Sequence, residues 1–580
     1  MKTKKLKLLI VVLTTLFFFQ CSNEFEEDLI EQENLNELQS KKSDFASKIG
    51  NNNKIQPDQM MRLGIELKNP YSVENMQIAY NSLKRKQQGF DKINISIKAN
   101  FIYLRALPKD EGELDLLKDL GYELYEYPLD VQILEEGSFY KDSNLTDEQI
   151  PWQYFVVPVN FDYPNNIQYE RLDNLYLPEE EKEINSQFVS LIQTTKIGDN
   201  IDLSKSSLDF DEYTIADLIE DESLYLTNNL DDDEKLEYQK EVASFISFRR
   251  RKFRPSGNIL IWDDVAKTRP VVGAKGMATR WFKRGQGISN SSGYWESSKR
   301  FRRKVRYKIK WDRYHYSIRR GQIGQANLRG PRCKCQWNIT ITGKRDKYHA
   351  LIHQAAHDYY YGSRFGLSSP PRNSFFRTQM KIAARPHEGS SSALHPLRSF
   401  GIWPFVSINR YNSRSDKIYA VTAHELAHTA HWNMDRGAYN NLGWDGYVRG
   451  IDGDKRTMES WASGVEVMFA LQRYKNQFGL SWYNYDENNL QRNTINEEPF
   501  YTSIVYDMID NFNQRTEYSS SLYPNDNVYG YSILQVERGL RGARSWNAWR
   551  SNMINRHYNS TEQYVYQLFC NWDSTSDCWQ

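Results

Sequence analysis

The chain carries no marked excess of charge of either sign. Its 75 Lys and Arg residues almost balance its 74 Asp and Glu residues, so the net charge is +1 over 580 residues. Proteins that bind nucleic acid through their surface field usually have a basic excess. The overall charge therefore gives no indication of a nucleic-acid partner, and we expect none.

Cysteine is also scarce. Cys21 stands apart near the N-terminus, and four cysteines remain, namely Cys333, Cys335, Cys570 and Cys578. A zinc site made from these four is disfavoured because Cys-x-Cys is not a usual ligand spacing. Three disulfide connectivities are open to them, and the short loop between Cys570 and Cys578 makes that pair the first choice.

The apolar run at the N-terminus is too short to span a membrane. It extends from Leu8 to Phe19 behind several lysines, which predicts a secretion signal over residues 1–20. Cys21 follows directly, and this arrangement resembles the lipobox of bacterial lipoproteins. The resemblance implies lipid on the Cys21 thiol and an outer-membrane location in the cell envelope of a Gram-negative bacterium.

The residues after Cys21 are polar and predict a tether over 21–54. An acidic stretch from Glu24 to Asp28 resembles the surface-export tag of some Gram-negative lipoproteins, although an ordinary solvated linker is the alternative. We expect a multidomain α+β protein beyond the tether, with a mixed α/β domain of unknown role over 55–248. Its acidic runs, such as Asp231 to Glu234, lack a calcium-loop pattern and predict a solvated face.

Composition changes after a basic stretch that ends at Pro255, and the next segment, 255–343, predicts strands. Residues alternate with period two in Gly257 to Trp262 and in Val305 to Trp311. This segment resembles the transthyretin-like β-sandwich found beside many secreted peptidases. For the basic cluster Lys299 to Lys310 we expect the solvent face of edge strands, and attraction of anionic lipid or glycan is the alternative.

The last segment, 346–580, predicts a mainly helical domain and contains His424-Glu425-Leu426-Ala427-His428. Ser415 and Asp416 can cap the helix that bears this motif. His424 and His428 then project from one face, one turn apart, so that both imidazoles can bind one zinc ion. Glu425 lies about 100° around the helix, where its carboxylate can act as general base on the water at the metal.

Catalytic zinc needs a third protein ligand. His431 stands about 10 Å along the helix from His424 and is too far away. No Glu occurs between His428 and Met458, and the first is Glu459, in the stretch Glu459-Ser460-Trp461-Ala462-Ser463-Gly464-Val465-Glu466. This stretch resembles the Glu-Gly-Phe-Ala-x-x-x-Glu sequence of gluzincin metallopeptidases, especially the aminopeptidase-like branch.

That resemblance implies a zincin-like fold, with Glu459 as third ligand and Glu466 as a supporting residue. The thirty residues between His428 and Glu459 exceed the usual gap of those families. An Asp from this insertion is therefore the alternative third ligand, and the candidates are Asp435, Asp445, Asp452 and Asp454.

Gluzincins often place a Tyr or His opposite the zinc to hold the oxyanion. The resemblance makes Tyr501 the first candidate for this role and Tyr506 the second, with simple packing as the alternative for both. His349, His353 and His357 also fall at helical spacing, but Gln354 stands where the motif needs Glu. Without a carboxylate to act as base, this second helix is expected to serve packing or to support residues that bind the metal.

These features together predict zinc-dependent hydrolysis of peptide bonds, with a protein or peptide as substrate, glycosylated substrates included. One alternative is a surface-binding lipoprotein or adhesin whose zinc site is structural or degenerate. A second is a zinc hydrolase that acts on glycan-linked or mucin-type proteins.

Overall fold

The computed structural model describes residues 60–86, 94–135, 137, 140–145, 149–178, 215–243, 252–321, 324–374, 379–393, 405–485, 490–496 and 500–573. In these ranges the chain is a mixed α and β protein with several sheets. The predicted secretion signal, the lipidation site Cys21, the tether and Cys578 lie outside them. None of the described helices combines the length and the apolar character needed to cross a membrane.

The described part of the N-terminal segment contains two antiparallel sheets and four helices. The strands are β1 (Arg62–Glu66), β2 (Phe101–Leu107), β3 (Val131–Glu135), β4 (Gln153–Pro158) and β5 (Gln168–Leu175). β1 pairs with β3, while β2 lies between β4 and β5. The helices are α1 (Val73–Lys86), α2 (Glu111–Asp119), α3 (Ile215–Leu226) and α4 (Asp232–Ala243). Buried residues on both faces of β2 and β4 contribute to two hydrophobic cores of this segment, one of which also contains residues of α1 and α3.

The next segment is rich in strands, as its alternation predicts. Its strands are β6 (Ser256–Asp263), β7 (Lys267–Pro270), β8 (Lys275–Arg280), β9 (Lys283–Ile288), β10 (Tyr294–Glu296), β11 (Val305–Lys310), β12 (Tyr316–Arg319), β13 (Asn327–Cys333) and β14 (Ile339–Ile341). One sheet has the order β10-β6-β14, with β7 also paired to β6, and a second has the order β13-β11-β8-β9. A disulfide joins Cys333 to Cys335 at the end of β13.

A third sheet connects this segment to the C-terminal one. β12 pairs in parallel with β15 (Met380–Ala384), β15 pairs in parallel with β17 (Phe405–Ile408), and β16 (Ser392–Ala393) runs antiparallel to β17. A single hydrophobic core extends from Ile259 in β6 to Phe569 near the end of the described chain. The two segments therefore fold around shared buried side chains.

The remaining elements of the C-terminal segment are helices. They are α5 (Lys344–Tyr361), α6 (Ser415–Met434), α7 (Arg436–Gly443), α8 (Asp452–Ala470), α9 (Ile504–Asp507), α10 (Gln514–Glu517), α11 (Ile533–Leu540), α12 (Trp546–Arg556) and α13 (Val565–Asn571). π-helical turns occur at Trp444–Val448 and Leu471–Gln477, and 3-10 turns at Leu490–Arg492 and Glu562–Tyr564. α6 packs between α5 and α8 and is buried along almost its whole length.

The expectation of solvated charge clusters is wrong for most of the basic cluster and for Glu234, whereas Asp232 and Asp233 of the acidic run are exposed as expected. β11 lies inside its sheet, between β8 and β13, and is not an edge strand. The guanidinium of Arg303 is buried and pairs with Asp221 at 2.8 Å and with Glu241 at 2.7 Å. Glu234, from the acidic run, pairs with Arg280 at 2.8 Å. The acidic N-terminal segment and the basic strands thus neutralise each other across their contact.

Candidate metal centre

Helix α6 places His424, Glu425 and His428 in the protein interior. The prediction that Ser415 and Asp416 cap this helix is wrong, because the helix already begins at Ser415, Arg414 occupies the N-cap position and no side chain caps it. Ser415 instead has its hydroxyl 3.0 Å from the Oδ2 atom of Asp264. Small buried residues lie beside the two histidines in sequence, Ala423 before His424 and Ala427 before His428. Their short side chains allow neighbouring helices to approach closely.

The two histidines and Glu459 bring three potential ligand atoms together. The Nε2 atoms of His424 and His428 lie 3.2 Å apart. The Oε2 atom of Glu459, on α8, lies 3.3 Å from the first and 3.5 Å from the second. At the tetrahedral angle, two donors that each lie about 2.0–2.1 Å from one zinc ion are about 3.3–3.4 Å apart. The triangle of donor atoms therefore has the size that zinc requires.

Within the described ranges, this is the one set of three His, Cys, Asp or Glu residues whose donor atoms all lie within 4.8 Å of one another. No Asp of the insertion joins it. Asp435 instead caps α7 through the amide of Ala438, and Asp445 pairs with Arg449 at 2.9 Å. The geometry favours Glu459 over the alternative ligands.

Glu466 fixes the orientation of the His424 ring. The Nδ1 atom of His424 lies 2.9 Å from the Oε2 atom of Glu466, and the hydroxyl of Tyr485 donates to the Oε1 atom of Glu466 at 2.8 Å. A carboxylate at Nδ1 favours the tautomer with its proton there, which leaves Nε2 free to bind a metal. Glu466 thus occupies the supporting position that the sequence resemblance implies.

The electrostatics of the site also suit a cation. Glu425, Glu459 and Glu466 are all at most 3% exposed, so three carboxylates share a small buried volume. Burial lowers the pKa of His424, but hydrogen bonds to Glu459 and Glu466 and the nearby charge of Glu425 raise it to about 10. Carboxylates in such surroundings are stabilised by a positive charge, which a divalent metal supplies.

Two tyrosines that contact the site, Tyr447 and Tyr485, are not predicted by the sequence patterns. The hydroxyl of Tyr447 donates to the Oε1 atom of Glu459 from the π-helical turn Trp444–Val448, and Tyr485 supports Glu466. Neither residue belongs to a recognisable motif. Their contacts depend on the π-helical turn and on the chain that follows α8, and local periodicity predicts neither.

Helix α8 positions Tyr501 beside the histidines. The hydroxyl of Ser460 donates to the carbonyl of Phe500 at 2.8 Å and accepts from the amide of Thr502 at 3.1 Å. A Cβ atom at Gly464 would lie 2.5 Å from Val505, so only glycine permits this close approach. The ring centre of Tyr501 lies 6.5 Å from that of His424.

Tyr506, the second candidate, lies elsewhere. It lines a different cavity together with Asp510 and Phe512. Its buried hydroxyl has no hydrogen-bond partner among the described residues, and burial raises its pKa. The structure therefore brings only one of the two candidate tyrosines to the metal ligands.

The other histidines that the structure describes do not join the group. The ring of His431 packs edge-on against Tyr439 with 4.9 Å between ring centres. On α5, the Nδ1 atom of His353 lies 3.1 Å from the Tyr316 hydroxyl, and its Nε2 atom lies 3.1 Å from the carbonyl of Val272. Helix α5 therefore has the packing role that its missing carboxylate predicts.

Comparison of the chain with protein-family models, with curated proteins and with solved structures finds no match in any of the three. The interpretation of the site therefore depends on its own geometry and chemistry.

Proposed function

We propose that this protein is a zinc-dependent metallopeptidase that hydrolyses peptide bonds. The observation that carries the proposal is the triangle formed by His424, His428 and Glu459, with donor atoms 3.2–3.5 Å apart and Glu425 next to it on α6. Two imidazoles and one carboxylate are a common ligand set of catalytic zinc, which keeps a fourth position open for water.

In this proposal, His424, His428 and Glu459 hold the zinc ion. When bound, the ion lowers the pKa of a coordinated water toward about 7 and polarises the scissile carbonyl. The carboxylate of Glu425 accepts a proton from the attacking water and delivers it to the leaving amine. The hydroxyl of Tyr501 donates a hydrogen bond to the oxygen on which negative charge develops.

The finer aspects of the architecture follow the same proposal. We infer a zincin-like catalytic unit, supported by the mixed sheet of β12, β15, β16 and β17 next to α6. The two sheets that contain β6 and β11 support a transthyretin-like sandwich. The third sheet includes β12, whereas β13 and β14, which follow it in sequence, pair in the other two sheets, so the two proposed units interleave within the 255–343 segment.

Purified full-length protein distinguishes this function from the adhesin alternative. Casein and quenched-fluorescence peptides should be cleaved, a chelator should abolish cleavage, and added zinc should restore it. The proposal is contradicted if the chelator leaves the activity unchanged, or if protein loaded with zinc cleaves none of these substrates. Parallel incubation with glycosylated and deglycosylated forms of one substrate shows whether a glycan is required.

The cellular location is a separate proposal, which rests on Cys21 and the preceding apolar run. An outer-membrane lipoprotein loses its anchor when the modified thiol is removed. The Cys21→Ser variant should therefore leave the membrane fraction, whereas a variant that fractionates with the membrane like the parent excludes the lipid anchor.

A further inference from the structure

A cavity of about 380 Å³ lies between the N-terminal segment and the sheet that contains β11. Its volume falls in the range of about 300–1,000 Å³ that is typical of small-molecule sites. Eight basic and five acidic side chains line it, so positive charge dominates. The basic residues are Lys118, Lys275, Arg284, Lys308, Lys310, Arg313, Arg319 and Arg329, and the acidic ones are Asp115, Asp119, Glu123, Glu126 and Asp312.

The acidic residues are too few to neutralise this charge. Lys310 has its ammonium 3.0 Å from Glu123, Arg284 lies 3.4 Å from the same carboxylate, and Lys308 lies 3.6 Å from it. Burial raises the pKa of Glu123, but the three cations outweigh burial and hold the pKa well below its usual range. Glu123 thus lies within ion-pair distance of three positive charges, one of which, Lys310, also lies 3.8 Å from Asp312.

Other ion pairs offset part of the positive charge, since Lys275 lies 3.0 Å from Asp312, and Arg319 lies 3.9 Å from Glu111, which does not line the cavity. Asp115 is engaged at 2.6 Å by Lys381, which does not line the cavity. The ammonium of Lys118 makes no ion pair within 4 Å among the described residues, and burial and then Arg319 lower its pKa to about 7. Burial raises the pKa of Tyr127, but Arg329 and other nearby cations bring it below the usual value. A phenol whose pKa falls in spite of burial indicates a strong positive potential.

Aromatic rings complete the walls of the cavity. Five tyrosines line it, namely Tyr122, Tyr125, Tyr127, Tyr140 and Tyr314. Tyrosine offers an apolar ring face together with a polar hydroxyl, which suits a ligand that has both C–H surfaces and hydroxyl groups. We propose that this cavity binds an anionic saccharide, a sugar that carries a carboxylate or a sulfate group. The cationic side chains would contact the charged group through charge-assisted hydrogen bonds.

The proposal does not depend on the zinc site, and binding measurements on the full-length protein test it. Isothermal titration should show binding of glucuronic acid and of N-acetylglucosamine 6-sulfate, while neutral N-acetylglucosamine and inorganic sulfate should each bind at least about tenfold more weakly, since each lacks one kind of contact. The Glu425→Gln variant should bind both charged sugars like the parent.

Three lysine variants locate the site. Lys118→Met and Lys308→Met should each weaken binding about tenfold or more, the loss expected for a charge-assisted contact. Lys109→Met removes the same charge from an exposed position outside the cavity and should change nothing. Circular dichroism establishes that each variant is folded, and the two cavity variants give independent tests.

Three outcomes would overturn the proposal. If the neutral sugar binds as tightly as the charged sugars, the charged group does not contribute to recognition. If inorganic sulfate binds as tightly as the sulfated sugar, the tyrosines do not contribute to recognition. If neither charged sugar binds at millimolar concentration, the cavity is not a binding site for anionic saccharides.

Discussion

The Nδ1 atom of His424 lies 2.9 Å from the Oε2 atom of Glu466, which connects helix α6 to its neighbour α8. This contact fixes the ring of His424 so that its Nε2 atom points to His428 and Glu459. Loss of a residue that orients a metal ligand typically lowers metal affinity or activity about 10- to 100-fold.

Removal of this carboxylate should therefore weaken zinc binding without abolishing it. We expect Glu466→Ala to lower zinc affinity about 10- to 100-fold, the usual effect of losing such a partner. Glu466→Gln retains an oxygen that accepts the Nδ1 proton, and it should lose less. Competition with a chromogenic chelator measures both variants, and equal affinity of Glu466→Ala and the parent would exclude this role.

Tyr501 and Tyr506 form a matched pair for testing the oxyanion contact. Tyr501→Phe should lower kcat by about 10² to 10³, as loss of one oxyanion donor does, with zinc content unchanged. Tyr506→Phe also removes one hydroxyl, but that hydroxyl contacts no hydrogen-bond partner among the described residues, so activity should persist. Steady-state hydrolysis of a quenched peptide decides the matter, and equal rates for both variants count against Tyr501.

Asp221 should make the free energy of unfolding depend on pH in the acidic range. Burial raises the pKa of its carboxyl, but Arg303 and Arg302 lower it to about 2, below the value of about 3.9 in unfolded chains. A lowered folded-state pKa contributes stability above about pH 4, and this contribution is lost as the pH falls toward 2.

The Asp221→Asn variant isolates this contribution, since it cannot titrate at this position. It should be less stable than the parent at pH 6, and the difference in unfolding free energy should shrink by about 2 kcal/mol as the pH falls toward 2. Thermal unfolding of both proteins at a series of pH values measures the difference. A difference that stays constant between pH 6 and pH 2 would show that Asp221 does not have this lowered pKa.

The proximity of His424 and His428 could be predicted from the sequence because helical spacing alone puts both residues on one face, and the structure brings their Nε2 atoms within 3.2 Å. Glu459 needed the resemblance to gluzincins, since it lies across a long insertion that no periodic pattern bridges. Tyr447 and Tyr485 could not be predicted, because their positions depend on a π-helical turn and on irregular chain.

The charged segments show the same limit for the fold. The alternation in Val305 to Trp311 correctly indicated strand β11, yet its position inside the sheet depends on pairing with β8 and β13. Arg303 and its partner Asp221 lie 82 residues apart in sequence. A run of like charges does not reveal an oppositely charged partner so distant in the chain, and a solvated face was therefore the wrong prediction.

The most direct test of the account is the Glu425→Gln variant, measured for zinc content and peptide hydrolysis together. Glutamine keeps the size of the side chain but cannot accept the proton of water. The account predicts zinc content equal to that of the parent and hydrolysis reduced by about 10² to 10⁴. Full peptide hydrolysis by Glu425→Gln would contradict it.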